Sequence, residues 1–399
     1  MNSKFTLPAK FILFPFYKAF QSLKYDVRLE GRELIENIKG PAILFANHTH
    51  TLDPFMISSM LPFHVRWVAG AYLFKLPFVS FLLRKWVTAI PKTQGRSDLE
   101  TIRSINKALK ENDVVGLFPE GTRTWDGDTL DITGGTAKLV RIFKSPVIFM
   151  NIQGGFANKP RWANKARKGP VIIKVTKVLS GEEIAKMSLP EINEVVKENL
   201  IFSHDKWISD NPKYEYKGPV AEGIERVLYA CPKCKSISSM VSDQNSVKCT
   251  KCGAAATVDS HYALSSDSIE FKQISSWYKW EKELVAEIFN SSSDNELLFP
   301  VDKGILFQKT TDNKHEVLST KFTVGCYNNK LEFNFDNEVF GSKTLAFELQ
   351  NIESLIINTK QTVEFYSDGQ QYRFRPEGML SSLKYQDLYL EYKKSKEVE

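Results

Sequence analysis

His48 and Asp53 stand five residues apart in Asn47-His48-Thr49-His50-Thr51-Leu52-Asp53. A loop of that length can fold back on itself, so the carboxylate can reach the imidazole. A histidine held in this way has its tautomer fixed and can serve as a general base. About 70 residues further on, Phe118-Pro119-Glu120-Gly121-Thr122-Arg123 gathers a second set. Gly121 lets backbone approach a ligand closely, Arg123 carries a planar fork suited to phosphate, and Glu120 adds a carboxylate. Further still, Cys231-Pro232-Lys233-Cys234 and Cys249-Thr250-Lys251-Cys252 form a CxxC–x14–CxxC pattern, four thiols at the spacing of two metal-binding knuckles.

These residues need elements to position them. Pro41–Ala46 is an apolar strand-type run immediately before the His48 loop, and Val114–Phe118 is another, ending at the start of the second motif. Both place their chemistry at a strand's carboxyl end, where α/β sheets build their sites. Asp53 suits a helix N-cap, with Pro54 in the first turn. Ser97-x-x-Glu100 and Ser188-x-x-Glu191 read as capping boxes. The first precedes Leu99, Ile102, Ile105 and Leu109, and the second opens a helix toward Leu200. Val147–Asn151 and Val171–Val175 supply further strands. This alternation of strands and helices predicts an α/β domain that ends near residue 218.

The two motifs together resemble the glycerolipid acyltransferase family, which contains the 1-acylglycerol-3-phosphate acyltransferases. Asn47–Asp53 is similar to its NHxxxxD motif, and Phe118–Arg123 matches FPEGTR letter for letter. The resemblance covers roughly residues 30–180. It implies a mixed sheet flanked by helices over residues 41–218. It also implies transfer of a fatty acyl group from acyl-CoA or acyl-carrier protein to a glycerolipid hydroxyl, foremost the sn-2 position of 1-acylglycerol-3-phosphate. In that family the equivalents of His48 and Asp53 are base and orienting acid. Glu120 joins the catalytic set, and Gly121, Thr122 and Arg123 hold the acceptor's polar head. No covalent enzyme intermediate is required, and no cysteine lies near these motifs in sequence. The family gives His50 no role, so it reads as structural or solvent-facing.

Two positions depart from the family pattern. Ala71 stands where many members have the Lys of KxLFxxP, and Lys92 replaces the Arg of an IPVDR-like stretch, with Arg96 nearby. Lys92 keeps the charge but loses bidentate geometry. Lys75, Arg96 and Arg123 are the available substitutes. A different lysophospholipid or alcohol acceptor is therefore an alternative, as is a non-catalytic lipid-binding protein that recruits partners through its cysteine module.

The 399 residues are 42% hydrophobic and 25% charged, which predicts two to three folded domains and excludes wholesale disorder, collagen and a disulfide-dense scaffold. The net charge of +6 divides unevenly: residues 1–220 carry 32 Lys and Arg against 21 Asp and Glu, while the remainder is net acidic. The first part is thus suited to anionic partners. The longest stretch without Lys, Arg, Asp or Glu is the 14 residues Ser145–Asn158, short of the roughly 20 that span a bilayer. Residues 1–40 interleave Phe5, Phe11, Ile12, Phe14, Phe16, Tyr17 and Phe20 with Lys4, Lys10 and Lys18. That pattern suits a helix in the membrane interface or one packed on its own domain. No cleavage site follows Phe11–Tyr17, so the chain reads as not exported. The aromatic stretch Pro62–Trp86 is acyl groove, membrane face or core, and the basic loop Lys159–Lys168 is a candidate for lipid headgroups or a carrier's acidic surface. The expected location is the cytoplasmic face of a membrane, peripherally or monotopically held; nucleic acid is not an expected partner.

Residues 225–260 resemble a zinc ribbon, in which Cys231, Cys234, Cys249 and Cys252 would close a structural Zn²⁺ site with no open position. Disulfides are the alternative, disfavoured in a reducing compartment. Cys326 lies alone in a predicted strand. Residues 261–296 read as a helical connector carrying Trp277–Phe289. Residues 297–399 read as short strands with hairpin turns at Tyr327–Lys330 and Ser367–Gln370, closed by a helix, a pattern similar to a pleckstrin-homology-like fold. The ribbon or this last domain is the candidate surface for a protein partner.

Overall fold

A computed structural model describes residues 6–92, 99–132, 134–293, 295–311, 314–337 and 341–398. The chain forms two compact units, Met1–Arg161 with Lys165–Gly218, and Trp162–Asn164 with Pro219–Glu399.

In the first unit seven strands are described: β1 (Asp26–Glu30), β2 (Ala42–Ala46), β3 (Val65–Gly70), β4 (Ile90–Lys92), β5 (Val114–Leu117), β6 (Val147–Gln153) and β7 (Pro170–Leu179). Their order in the sheet is β1-β7-β6-β2-β5-β3-β4. All five residues of β2 are buried. Ala42, Leu44 and Ala46 face one side with Met56 and Ile57, while Ile43 and Phe45 face the other with Ile105, Leu109, Val140 and Val196. That is the period-two pattern of a strand covered on both faces. β2, β5, β3 and β4 run parallel, so their carboxyl ends share one edge. β6 is parallel to β2, β7 antiparallel to β6, and β1 parallel to β7, which makes the sheet mixed, as expected.

The boundary expected at residue 41 is too late. Asp26–Glu30 pairs with Pro170–Lys174 and belongs to the sheet. Its charged Asp26, Arg28 and Glu30 alternate with Val27 and Leu29, the pattern of a protected edge strand, which hides it among polar sequence. Before it, a wide π-type turn (Ala9–Leu13) leads into helix α1 (Phe14–Lys24). Pro15 sits in the first turn of α1, where a missing N–H is harmless. Helix α2 (Asp53–Met60) follows the His48 loop. Asp53 is its first residue rather than its N-cap, and its carboxylate turns back into the loop. The Ser188 capping box forms as expected, ahead of helix Leu189–Leu200; Ser97 lies outside the described residues.

Both Phe-rich segments divide between core and surface. Ala9 and Phe14 share a buried cluster with Phe74, Leu83 and Val87. Leu7, Phe11, Ile12, Leu76 and Phe81 remain exposed, with Phe16 at 72% and Phe78 at 74%. No helix among the described residues is long and apolar enough to cross a membrane. In the loop Lys159–Lys168, Arg161, Trp162 and Arg167 are buried, while Lys165 and Lys168 are exposed.

The second unit contains a four-stranded sheet over Met240–Ser265 and an antiparallel sheet of eight strands between Asp302 and Pro376, followed by helix Leu383–Val398. The two expected hairpins form, with Asp368 and Gly369 at positive φ in the second. Cys326 ends the strand Phe322–Cys326, as expected, and is buried. The cysteine module is not independent of its neighbours. Helix Ile274–Ser291 sends Glu281 to the Ala230 N–H at 2.6 Å, and Trp277 Nε1 donates to the Ala230 carbonyl at 3.0 Å. The hydroxyls of Tyr229 and Tyr278 both reach Asp387 of the terminal helix.

Candidate active site

The site is built from the carboxyl ends of β2, β5, β3 and β4. Immediately after β2, the Asn47 side chain bonds both ways to the Ile152 backbone: Oδ1 accepts from its N–H at 2.6 Å and Nδ2 donates to its carbonyl at 3.1 Å. This ties the start of the loop to β6. His48 comes next. Asp53 Oδ2 accepts from His48 Nδ1 and from the Thr49 and His50 amides, each at 2.8 Å. Nδ1 therefore carries the proton, and Nε2 is left as the basic nitrogen. Asp53 is fully buried, while the His48 side chain keeps 19% exposure.

The imidazole is also clamped from its face. It stacks on Phe118 at 4.1 Å between centroids, and Phe118 stacks on Trp67 at 4.8 Å. Trp67 lies flat over β5 because its neighbour there is Gly116. A Cβ on Gly116 would meet the Trp67 ring at 2.5 Å. Trp67 Nε1 donates to Ser58 Oγ at 2.9 Å, which fixes the outer end of the stack.

Glu120 ties the second motif to the His48 loop. Its Oε1 accepts from the His48 N–H at 2.6 Å and its Oε2 from the Leu130 N–H at 2.8 Å. Each oxygen accepts one backbone amide, so Glu120 braces the two loops together. Burial pushes its carboxyl up to about 8, with the two amides opposing. Thr124 N–H completes the brace, donating to the His48 carbonyl at 3.1 Å. Gly121 has φ +71, with open space where a side chain would stand.

The sequence reading missed Arg161. Its guanidinium donates to Thr122 Oγ1 at 2.9 Å and to the Arg123 carbonyl at 3.1 Å, and lies over the Trp125 ring at 4.2 Å. It holds the shape of the second motif from behind, and the only signal for it was a charge in a basic loop. Thr122 is thereby a scaffold residue as well as a member of the motif. The Arg123 guanidinium itself has no hydrogen bond or ion pair among the described residues. Burial lowers its pKa, with the Tyr72 hydroxyl and Asp53 opposing. The His48 pKa is lowered chiefly by burial and further by Arg123 and Arg161, against the stabilising hydrogen bond and charge of Asp53. A neutral imidazole and a cation with no ion-pair partner among the described residues thus stand at one strand edge.

The two departures from the family pattern are neighbours. Gly70 pairs with Lys92 across β3 and β4, so Ala71 follows one strand end and Lys92 closes the other. Arg96 lies outside the described residues. His50 is fully buried rather than solvent-facing; its Nδ1 accepts from the Leu52 N–H at 2.9 Å.

Residues 26–153 match the Acyltransferase family model. A curated 1-acyl-sn-glycerol-3-phosphate acyltransferase of Saccharomyces cerevisiae is 26% identical over 185 residues, 45% of this chain and 60% of the relative. One of Bacillus subtilis is 25% identical over 143 residues, 36% of this chain and 70% of the relative. Residues 26–153 are thus the acyltransferase-like part of the chain. A 1-acyl-sn-glycerol-3-phosphate acyltransferase of Borreliella burgdorferi is 32% identical over 126 residues, 29% of this chain and 50% of the relative. The crystal structure of a Thermotoga maritima 1-acyl-sn-glycerophosphate acyltransferase aligns at TM-score 0.39 and 24% identity, over 46% of this chain and 73% of that one.

In the second unit, the ligand atoms of Cys231, Cys234, Cys249 and Cys252 all lie within 4.8 Å of one another. Across the knuckles the Sγ separations are 3.6 Å for Cys231 and Cys252 and 3.7 Å for Cys234 and Cys249. A tetrahedron with metal–sulfur bonds of about 2.3 Å has edges of about 3.8 Å. The set fits Zn²⁺, and all four thiols are free of disulfides.

Proposed function

We propose that the protein transfers a fatty acyl group from the thioester of acyl-CoA or acyl-carrier protein to a glycerolipid hydroxyl, foremost the sn-2 hydroxyl of 1-acylglycerol-3-phosphate. The observation that carries the reading is the 2.8 Å bond from His48 Nδ1 to a fully buried Asp53, at the strand edge that also carries Arg123. His48 Nε2 takes the proton of the acceptor hydroxyl. The oxygen attacks the thioester carbonyl, the tetrahedral intermediate collapses, and the C–S bond breaks. The leaving thiolate takes the proton back from the imidazolium, so His48 ends as it began. Asp53 stabilises the transient imidazolium, and Arg123, with Lys92, faces the acceptor's phosphate.

The exposed apolar side chains Leu7, Phe11, Ile12, Phe16, Leu76, Phe78 and Phe81, near Lys10, Lys18, Lys75 and Arg84 in sequence, support a further part of the reading. They would seat the protein on the cytoplasmic face of an anionic membrane, where its acceptor lies. The four cysteines would hold Zn²⁺ as a structural centre.

The test is acyl transfer by the full chain from labelled acyl-CoA and acyl-carrier protein, with His48→Ala as control. Acceptors are 1-acylglycerol-3-phosphate, glycerol-3-phosphate and neutral lysolipids on vesicles. Turnover with the first that vanishes in the variant is the expected result. Turnover confined to another acceptor would mean that Ala71 and Lys92 have redirected specificity. Lipid binding without turnover from either donor would leave a binding protein.

A further inference from the structure

The family match begins at residue 26, so α1 lies outside it. Yet α1 delivers a buried hydroxyl next to the catalytic dyad. The Tyr17 ring packs on Phe55, two residues past Asp53 in α2, at 5.6 Å between centroids. Phe20 bridges Tyr17 to Tyr25 at 6.2 Å on each side, and Tyr25 meets the His50 ring edge-on at 5.8 Å. Tyr17, His50 and Asp53 are all buried. Three polar atoms in this cluster have no protein hydrogen-bond partner among the described residues: Tyr17 Oη, His50 Nε2 and Asp53 Oδ1.

Buried polar atoms are nearly always partnered, by protein or by ordered water. The three here are complementary. Asp53 Oδ1 only accepts. His50 Nδ1 already accepts from Leu52, so its Nε2 carries a proton and donates. A phenol does both. Asp53 Oδ2 is held by three donors and Oδ1 by none, so something must fix the second oxygen if the carboxylate is not to turn. Burial raises the Tyr17 phenol pKa most, with Tyr25 and then the charge of Asp53 adding to it.

We propose that Tyr17 is a positioning residue for the dyad: through one buried water that also accepts from His50 Nε2, its hydroxyl steadies Asp53 Oδ1 and so keeps Oδ2 aimed at His48. The inference rests on His48 being the base. It also gives the fully buried His50 a task, as the second support of the same water. Tyr17 follows Phe16, which is 72% exposed, so adjacent residues of one helix serve the surface and the dyad.

The experiment is Tyr17→Phe in the full chain, which keeps the ring and removes only the hydroxyl. We would measure kcat, KM and the pH dependence of kcat/KM on vesicle-borne acceptor. We would also titrate His48 directly by nitrogen NMR of selectively labelled histidine. A carboxylate whose donor water has lost one of its two supports is less well neutralised and holds the imidazolium more tightly. His48 should therefore titrate at higher pH, and the acid limb of kcat/KM should move up with it. kcat should fall about two- to tenfold, the range of a single neutral hydrogen bond, with KM unchanged. Asp53, Glu120, Arg123 and Arg161, the charged groups around His48, are untouched by the change. A variant with wild-type kcat and an unmoved His48 titration overturns the role of Tyr17. If instead His48→Ala retains turnover, the base assignment itself fails, whatever Tyr17→Phe does. The His48 titration is read without any turnover, so it separates the two failures.

Discussion

Asp53 Oδ2 accepts three hydrogen bonds at 2.8 Å, from one ring and two amides of the loop it closes. The carboxylate therefore shapes the loop and the base together. Burial drives the His48 pKa below the ordinary imidazole value of about 6.5, and Asp53 only partly restores it. The imidazole is then neutral, and competent as a base, throughout the neutral range, and the acid limb of kcat/KM should lie below 6.5. Asp53→Asn should lower kcat by about 10²- to 10⁴-fold, since the imidazolium loses its counter-charge and the ring its fixed tautomer. The same change removes the contribution that raises the His48 pKa, so the acid limb should move to lower pH, opposite in direction to Tyr17→Phe. An unchanged limb in a pH–rate profile would count against the electrostatic role given to Asp53. The dyad could be read from sequence because its partners are five residues apart, and the spacing carries the geometry. Arg161 could not, because it meets Thr122 and Arg123 across 39 and 38 residues, and nothing local marks a charge destined for burial. Glu120 was legible as a motif letter but not as a brace, since its partners are backbone amides of residues 48 and 130.

At the scale of elements, parallel strands did much of the positioning. β2 and β5 stood out as apolar runs, and a residue placed just after either is delivered to the same edge. β1 escaped notice because an edge strand with charges at alternate positions looks like loop. Gly116 is the less obvious device. It sits inside a buried strand, where glycine is unfavourable, and its value is the room it leaves for Trp67, on which Phe118 and then His48 stack. Gly116→Ala should force that column outward, costing about 1–3 kcal/mol of stability by overpacking and lowering kcat several-fold. Thermal unfolding and initial rates together would check it, and a stable variant with full activity would show that the stack does not orient the imidazole. The helices argue separately. Phe16 and Phe78 are both about three-quarters exposed. If both enter lipid at about 1.5–3 kcal/mol each, Phe16→Ser with Phe78→Ser should weaken vesicle co-sedimentation at least a hundredfold, while hydrolysis-free binding of a water-soluble acceptor analogue stays unchanged.

For the whole molecule, the charge is divided: the basic half holds the acyltransferase domain, the acidic half the cysteine cluster. Zinc should stabilise the second unit outright, because the residue before Cys231 is bonded to helix Ile274–Ser291 through both its amide and its carbonyl. Chelation, or Cys249→Ser, should release one Zn²⁺ per chain and lower the unfolding temperature; elemental analysis with calorimetry checks both. The cysteine spacing announced this cluster in sequence, whereas its burial against distant helices depends on single residues such as Glu281 and Asp387 that no local pattern singles out. The small cluster that joins Ala9 and Phe14 to Phe74, Leu83 and Val87 has a practical side. A chain cut back to the matched residues 26–153 would lose the lid over those three side chains and the helix that carries Tyr17. What looks in an alignment like a minimal catalytic core would come off the ribosome with an open greasy seam, prone to clump or to hold detergent, and its poor behaviour could be mistaken for a dead enzyme.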